Sequence, residues 1–241
     1  MAEFLTTNEI ASSLEQIIEG SQKKIVLISP YLQLPQILFE RLQDADRKKV
    51  QIVVVYGKDE LKPEERAKLK RLNNLSLHYY KNLHAKCYFN EESMIIASMN
   101  LIEFSEKRNR EMGVLIRKST DEKLFGEARC EADSIVYFST REPLVQQKEQ
   151  SRQTTTNRER GHCIRCNAPI PPDRDKPYCA GCFSTWIRYA NPEYKEKHCH
   201  LCGKPAPVSM ARPLCRSCYL EHQNDDWAQP IVDTFRRLFG L

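Results

Sequence analysis

Apolar positions in the first 140 residues alternate between helical and strand periods, which predicts a chain of alternating helices and strands. Ile10, Leu14, Ile17 and Ile18 fall at helical spacing. Thr6-Thr7-Asn8-Glu9 before them reads as a capping box, with Thr6 as the cap and Glu9 three residues on. Lys24 to Ile28 is a short apolar run fit for a buried strand, and it ends in the loop Ser29-Pro30-Tyr31. Leu34 to Arg47 reads as a helix, Gln51 to Tyr56 as a β-branched strand closed by Gly57, and Pro63 to about Leu72 as a third helix. Strands follow at 75–80, 85–89 and 94–97, then a helix starting near Asn100 and a strand at 112–116. A long helix capped by Asp121 reaches Tyr137 or further. Alternating elements with apolar strands predict an α/β sandwich around a mixed sheet.

Beyond residue 140 the pattern changes. Residues 141–161 are polar, carry no large apolar group besides Leu144 and Val145, and read as a linker or an extension of the preceding helix. Residues 162–222 are organised by cysteine. Eight of the ten cysteines form four CxxC pairs: Cys163/Cys166, Cys179/Cys182, Cys199/Cys202 and Cys215/Cys218. The last two pairs repeat the first two with a constant shift of 36 residues, and His162 recurs as His198. A constant shift marks duplication of a unit too small for an adequate apolar core. The spacing CxxC-x12-CxxC suits tetrahedral coordination, so two structural Zn²⁺ ions per chain are expected, one per repeat. The repeat disfavours interleaved ligation, in which the first and third pairs share an ion. His162, His198 and His200 lie beside ligands and are candidates to replace a cysteine. Cys87 and Cys130 remain as buried or idle thiols.

Trp186, Tyr189 and Tyr194 are interleaved with Arg188, Lys195 and Lys197 between the repeats. That composition suits stacking on bases; the plainer reading is that Trp186 and Tyr189 pack the two repeats together. Residues 223–241 read as an amphipathic helix with Ile231, Val232, Phe235, Leu238 and Phe239 on one face, fit to dock on this chain or a second copy.

The candidate chemistry lies in the first part. His84-Ala85-Lys86, Ser98-Met99-Asn100 and Glu111 are the residue types that attack a phosphodiester without a metal. Imidazole can form a covalent phosphoryl intermediate. Lysine supplies a fixed charge for phosphate oxygens, serine and asparagine donate hydrogen bonds, and a glutamate can hold the imidazole in one tautomer. A His and a Lys two apart on a strand share a face and are often plain surface; the ordered set carries the inference.

That order resembles the HKD motif of the phospholipase D superfamily, HxKxxxxD followed by a GSxN-like element. Glu91 stands at the Asp position and Ala97 at the Gly position. Asn109-Arg110-Glu111 resembles the NxE segment of single-motif, bacterial endonuclease-like members, where the glutamate contacts the active-site histidine. The resemblance covers roughly residues 1–140. It implies a phospholipase D-like mixed-sheet α/β sandwich, followed here by a small tandem zinc-binding domain, with His84, Lys86, Ser98, Asn100 and Glu111 as catalytic residues. The chemistry needs two histidines, one to attack phosphorus and one to protonate the leaving oxygen. This chain has one HxK, and His78 has no lysine two residues on. A homodimer with one site across a two-fold axis is therefore expected, and no catalytic metal.

Composition bounds the rest. A hydrophobic content of 41% supports a globular core in part of the chain, and no run is as long as a membrane-spanning helix. Met1 to Thr7 lacks the basic region and apolar core of a signal peptide, so a cytoplasmic location and no membrane contact are expected. The formal charge of +5 falls to about +1 once eight thiolates and two Zn²⁺ are included. Nucleic-acid binding must then rest on local patches. The leading expectation is a metal-independent phosphodiesterase, a nuclease acting on DNA or RNA, with zinc modules that aid substrate or partner binding. A phospholipid or small-phosphodiester hydrolase shares the chemistry. A non-catalytic zinc-ribbon adaptor for nucleic acid or protein is the reading from another class.

Overall fold

Three apolar runs lie side by side in parallel: β2 (Lys24–Ile28), β4 (Gln51–Tyr56) and β5 (Leu75–Tyr79). The computed structural model describes residues 1–57, 61–102, 109–144 and 160–222, in two compact units, Met1–Gln150 and Ser151–Leu241. The helix expected at 223–241 and linker residues 145–159 lie outside the described residues.

Strands β6 (Cys87–Phe89), β7 (Ser93–Ala97) and β9 (Met112–Arg117) extend the parallel core on one side with antiparallel pairing. Two further strands close the ends: β1 (Glu3–Thr6) on β9 and β10 (Thr140–Glu142) on β5. The sheet is thus eight-stranded and mixed, in the order β1-β9-β7-β6-β2-β4-β5-β10. Every residue of β2 is buried, as a central strand covered on both faces requires.

Helices α1 (Thr7–Gly20) and α2 (Gln36–Arg47) cover one face. Ile10, Leu14, Ile17 and Ile18 of α1 are all buried there, each worth on the order of 2 kcal/mol by area transfer. The capping box forms, with the Thr6 N–H donating to Glu9 at 2.8 Å. Helix α2 begins after Pro35, two residues later than the periodicity predicts. Helix α3 (Pro63–Leu69) follows β4. Helix α4 (Glu122–Phe138) buries Phe125, Ala132, Val136 and Tyr137.

Two expectations are corrected. Residues 141–142, read as the start of the linker, belong to β10. At the start of the helix expected near Asn100, Leu101–Ile102 form a two-residue strand, β8, parallel to β3 (Leu32–Gln33); residues 103–108 lie outside the described residues. The Leu101 N–H is held at 3.0 Å by the Ser29 hydroxyl, which fixes the start of this pairing.

The second unit shows the repeat directly. β11 (Gly161–His162) pairs with β12 (Pro169–Ile170), and α5 (Ala180–Trp186) follows. β13 (Glu196–His198) pairs with β14 (Pro205–Val208), and α6 (Arg216–His222) follows.

Candidate active site and metal centres

Strand register brings the motif residues to one edge of the sheet. Ile28 at the end of β2 pairs with Cys87 at the start of β6, Cys87 pairs with Ile96, and Ala97 pairs with Gly113. The loops carrying Ser29–Tyr31, Leu83–Lys86, Ser98–Asn100 and Glu111 therefore meet at the carboxyl ends of the parallel strands. That edge is where α/β sheets place their ligands.

His84 and Lys86 sit in the irregular segment just before β6, not on the strand; His84 is exposed and Lys86 partly so. The Lys86 carbonyl accepts the Ala97 N–H at 3.3 Å. Gly57, at the end of β4, packs against the chain leading to His84: a Cβ there would lie 2.2 Å from the Tyr80 carbonyl oxygen and 2.4 Å from Leu83 Cβ.

Ser98 and Glu111 are in direct contact. The Ser98 hydroxyl donates to the Glu111 carboxylate and accepts the Met112 N–H at 3.1 Å. The Glu111 N–H in turn donates to Thr7 Oγ1 at 2.9 Å, so the first residue of α1 fixes the glutamate's backbone. Sequence reasoning missed Thr7, because only the β1–β9 pairing brings it beside Glu111. The contact between glutamate and histidine that the resemblance implies is absent among the described residues. Ser98 directly follows β7, the neighbour of the strand that Glu111 precedes, whereas His84 precedes β6, whose axis is two strands from that of β9, roughly 10 Å by strand spacing.

The Ser98–Asn100 turn is held from beneath. The buried Tyr88 hydroxyl donates to the Met99 carbonyl at 2.6 Å, and burial pushes that phenol well above its ordinary pKa. The Ser29 hydroxyl donates to the Tyr31 carbonyl at 2.7 Å while accepting from Leu101. Asn100 Oδ1 is buried and has no hydrogen-bond partner among the described residues. Ala97 fits at the family's glycine position because Gly113 faces it: a Cβ on Gly113 would stand only 3.1 Å from Ala97 Cβ.

Other candidates prove structural. The Glu91 carboxylate accepts from the backbone N–H groups of Gln22 and Lys23 at 3.3 and 2.7 Å and also from Lys24, so it ties the α1–β2 turn to the β6–β7 hairpin. Burial pushes its pKa up, but the N–H donors outweigh burial and hold it below the ordinary value. His78 is buried in β5 with Nδ1 2.8 Å from Ser139 Oγ, apart from the motif edge. Cys87 is buried, which pushes its thiol up to about 12 and leaves it a poor nucleophile beside Lys86.

The eight paired cysteines form two clusters. Cys163, Cys166, Cys179 and Cys182 have all Sγ atoms within 4.8 Å of one another, as do Cys199, Cys202, Cys215 and Cys218. The clusters fall one to a repeat, not interleaved, and neither includes a histidine. Cys166 and Cys179 sulfurs are 3.7 Å apart and those of Cys202 and Cys215 3.8 Å. Tetrahedral Zn–S bonds of about 2.3 Å give a sulfur–sulfur edge of roughly 3.8 Å, so both sets fit a metal ion. A disulfide would need about 2.05 Å.

The backbone repeats at the same offset. Asn167 and Gly203 both take positive φ, 63° and 66°. The Asn167 N–H donates to the Cys163 carbonyl and the Gly203 N–H to that of Cys199, both at 2.9 Å. Asparagine and glycine are the residues that tolerate such a left-handed turn. Trp186 and Tyr189, read as packing the repeats together, differ in burial. Trp186 is buried against Tyr178 and Phe183 of its own repeat, while Tyr189 is 82% exposed.

The family described as "Cardiolipin synthase, PLD-like domain" matches residues 14–136. The chain belongs to this phospholipase D-like family. Among solved structures it is similar to NucT from Helicobacter pylori, at 12% identity and a TM-score of 0.50, covering 59% of this chain and 99% of that one. It is also similar to a phospholipase D family member, Nuc, from Salmonella typhimurium, at 14% identity, TM-score 0.48, and 59% and 99% coverage. A third is phosphatidylserine synthase from Haemophilus influenzae, at 16% identity, TM-score 0.49, and 58% and 40% coverage. No curated protein matches the chain significantly. No helix among the described residues is long and apolar enough to cross a membrane.

Proposed function

We propose that this protein is a metal-independent phosphodiesterase acting on nucleic acid, a nuclease, with its site completed by a second copy of the chain. The observation that carries the reading is the convergence of His84, Lys86, Ser98, Asn100 and Glu111 on one sheet edge, with Ser98 bonded to Glu111. His84 of one protomer attacks phosphorus, forming a phosphohistidine as the P–O bond to the leaving group breaks. His84 of the partner protonates that oxygen, then takes a proton from the water that hydrolyses the intermediate. Lys86, doubled by symmetry, compensates the charge that attack adds to the phosphate, and Ser98 and Asn100 donate to its oxygens. Glu111, anchored through Ser98 and Thr7, is positioned to meet a histidine contributed across the two-fold axis.

An exposed apolar face supports the dimer. Val114 of β9 pairs with Phe4 on one side and Ile96 on the other, and Met112 lies two residues along the same face. Met112 and Phe4 are each 64% exposed. Such a patch suits a self-complementary contact, and it borders Ser98. The two four-cysteine sets each hold a structural Zn²⁺ and serve substrate or partner binding.

The test is direct: incubate the zinc-loaded protein with single- and double-stranded DNA, RNA and phospholipid vesicles, with and without brief chelation. Cleavage of nucleic acid that His84→Ala abolishes, while binding persists, is the expected result. Turnover of lipid alone would place the protein among phospholipid hydrolases, and turnover of nothing would make it an adaptor.

A further inference from the structure

The connection between the two zinc repeats builds a cleft that the active-site chemistry leaves unused. Its volume is about 440 Å³, and it is lined by Arg165, Thr185, Trp186, Tyr189, Asn191 and Tyr194. The floor is rigid. Trp186 stacks on Tyr178 with ring centroids 5.6 Å apart, and its indole N–H donates to the Asn191 carbonyl at 3.1 Å. The Arg165 guanidinium lies over the Tyr178 and Tyr194 rings at 5.5 and 5.8 Å. It is fixed there by Glu196, at 2.9 Å from its Nε. The walls are open: Tyr189 is 82% and Tyr194 55% exposed.

Immediately beyond Tyr194 the chain enters a second cavity of about 600 Å³, rimmed by Lys195, Arg216, the half-exposed Tyr219 and Arg212, whose guanidinium donates to Glu193 at 2.9 Å. Arg188 and Lys197 are exposed close by in sequence. Exposed aromatic and cationic side chains thus succeed one another along the path of the chain from Arg188 to Lys197.

We propose that this path binds the unpaired strand of a nucleic acid, with bases stacked on Tyr189 and Tyr194 and phosphates held by Lys195 and Arg216. The proposal deepens the nuclease reading by naming single-stranded nucleic acid as its substrate form, and it rests on that reading. The chemistry of the cleft selects this occupant. An aromatic cage for a quaternary ammonium must be free of competing cations, whereas here Arg165 already covers two of the rings. A base, planar and neutral, stacks on a guanidinium as well as on a ring. Duplex DNA keeps its base faces inside and cannot use the aromatic walls.

The test uses the full chain carrying His84→Ala, zinc-loaded, with a fluorescein-labelled oligothymidylate of about 15 nucleotides, within the usual span of single-strand sites, and a duplex of equal length. The single strand is expected to bind more tightly than the duplex. Tyr189→Ala and Tyr194→Ala should each weaken its binding about tenfold, the loss of one stacked base, while Tyr194→Trp retains it. Both tyrosines are exposed, and an unchanged zinc content shows that the variants fold. In the otherwise wild-type chain, the alanine variants should hydrolyse a small chromogenic phosphodiester at the unaltered rate. Equal affinity for strand and duplex, unchanged affinity in both alanine variants, or preference for a polyglutamate peptide would overturn the proposal. Loss of all phosphodiester hydrolysis in the wild-type chain, with strand binding intact, would overturn the nuclease reading instead.

Discussion

At the residue scale, the proposed site separates groups assigned to the reaction from groups that hold them. His84→Ala and Lys86→Ala should each lower turnover at least ~100-fold, the usual size for losing a nucleophile or electrostatic group, with substrate binding less affected. Single-turnover rates set beside binding constants would show this; a matched loss in both would assign these residues to binding. Glu111→Gln should cost less, because an amide still accepts from Ser98. Glu91 belongs to the holding group. Replacing it by Ala should cost about 2 kcal/mol at neutral pH, the scale for hydrogen bonds to a charged acceptor. Its folded pKa lies below the ordinary 4.5, so this stabilisation is complete above pH 4.5 and fades as pH falls through the lowered folded value. Denaturant unfolding of the two proteins across acid pH should therefore converge; a difference independent of pH would mean that Glu91 acts through packing.

At the element scale, the close approach of β4 to the segment before His84 gives a second prediction. Gly57→Ala would force its Cβ into Tyr80 and Leu83, so activity should fall while the sheet survives, read as lost turnover with near-native circular dichroism. Native turnover would show that the 80–83 segment yields without moving His84. The parallel strands were legible because burial on both faces writes continuous apolar runs, as in Ile25 to Ile28 and Ile52 to Val55. The edge strands were not. β1 offers only Leu5 as a buried residue, and β10 is three polar residues held by backbone pairing with β5. The same limit hid Thr7, whose role follows from the β1–β9 register. The cysteine sets were legible only in part: the constant 36-residue shift favours one set per repeat over interleaved pairs, and the fold brings the sulfurs together in that grouping; the exposure of Tyr189 was not legible, because helical spacing says nothing of which face finds a partner.

At the scale of the whole molecule, two units of different physical origin are joined in one chain. The first rests on an apolar core, and the second on eight thiolates around two ions by our account. Strong chelation should unfold residues 160–222 and leave the first unit folded. Hydrogen exchange would report it, and protection lost equally in both units would refute their independence. Elemental analysis should give two Zn²⁺ per chain. Mixing wild-type and His84→Ala chains should give heterodimers that are largely inactive, whereas full activity in a strictly monomeric fraction would remove the shared site. The most direct measurement is a rapid quench of the reaction with substrate labelled at the scissile phosphate, after brief EDTA treatment that leaves both four-cysteine sets loaded. Undiminished turnover and an acid-labile phosphohistidine at position 84 are expected. Activity abolished by the chelator and restored by Mg²⁺, with no label on His84, would contradict the phosphohistidine mechanism.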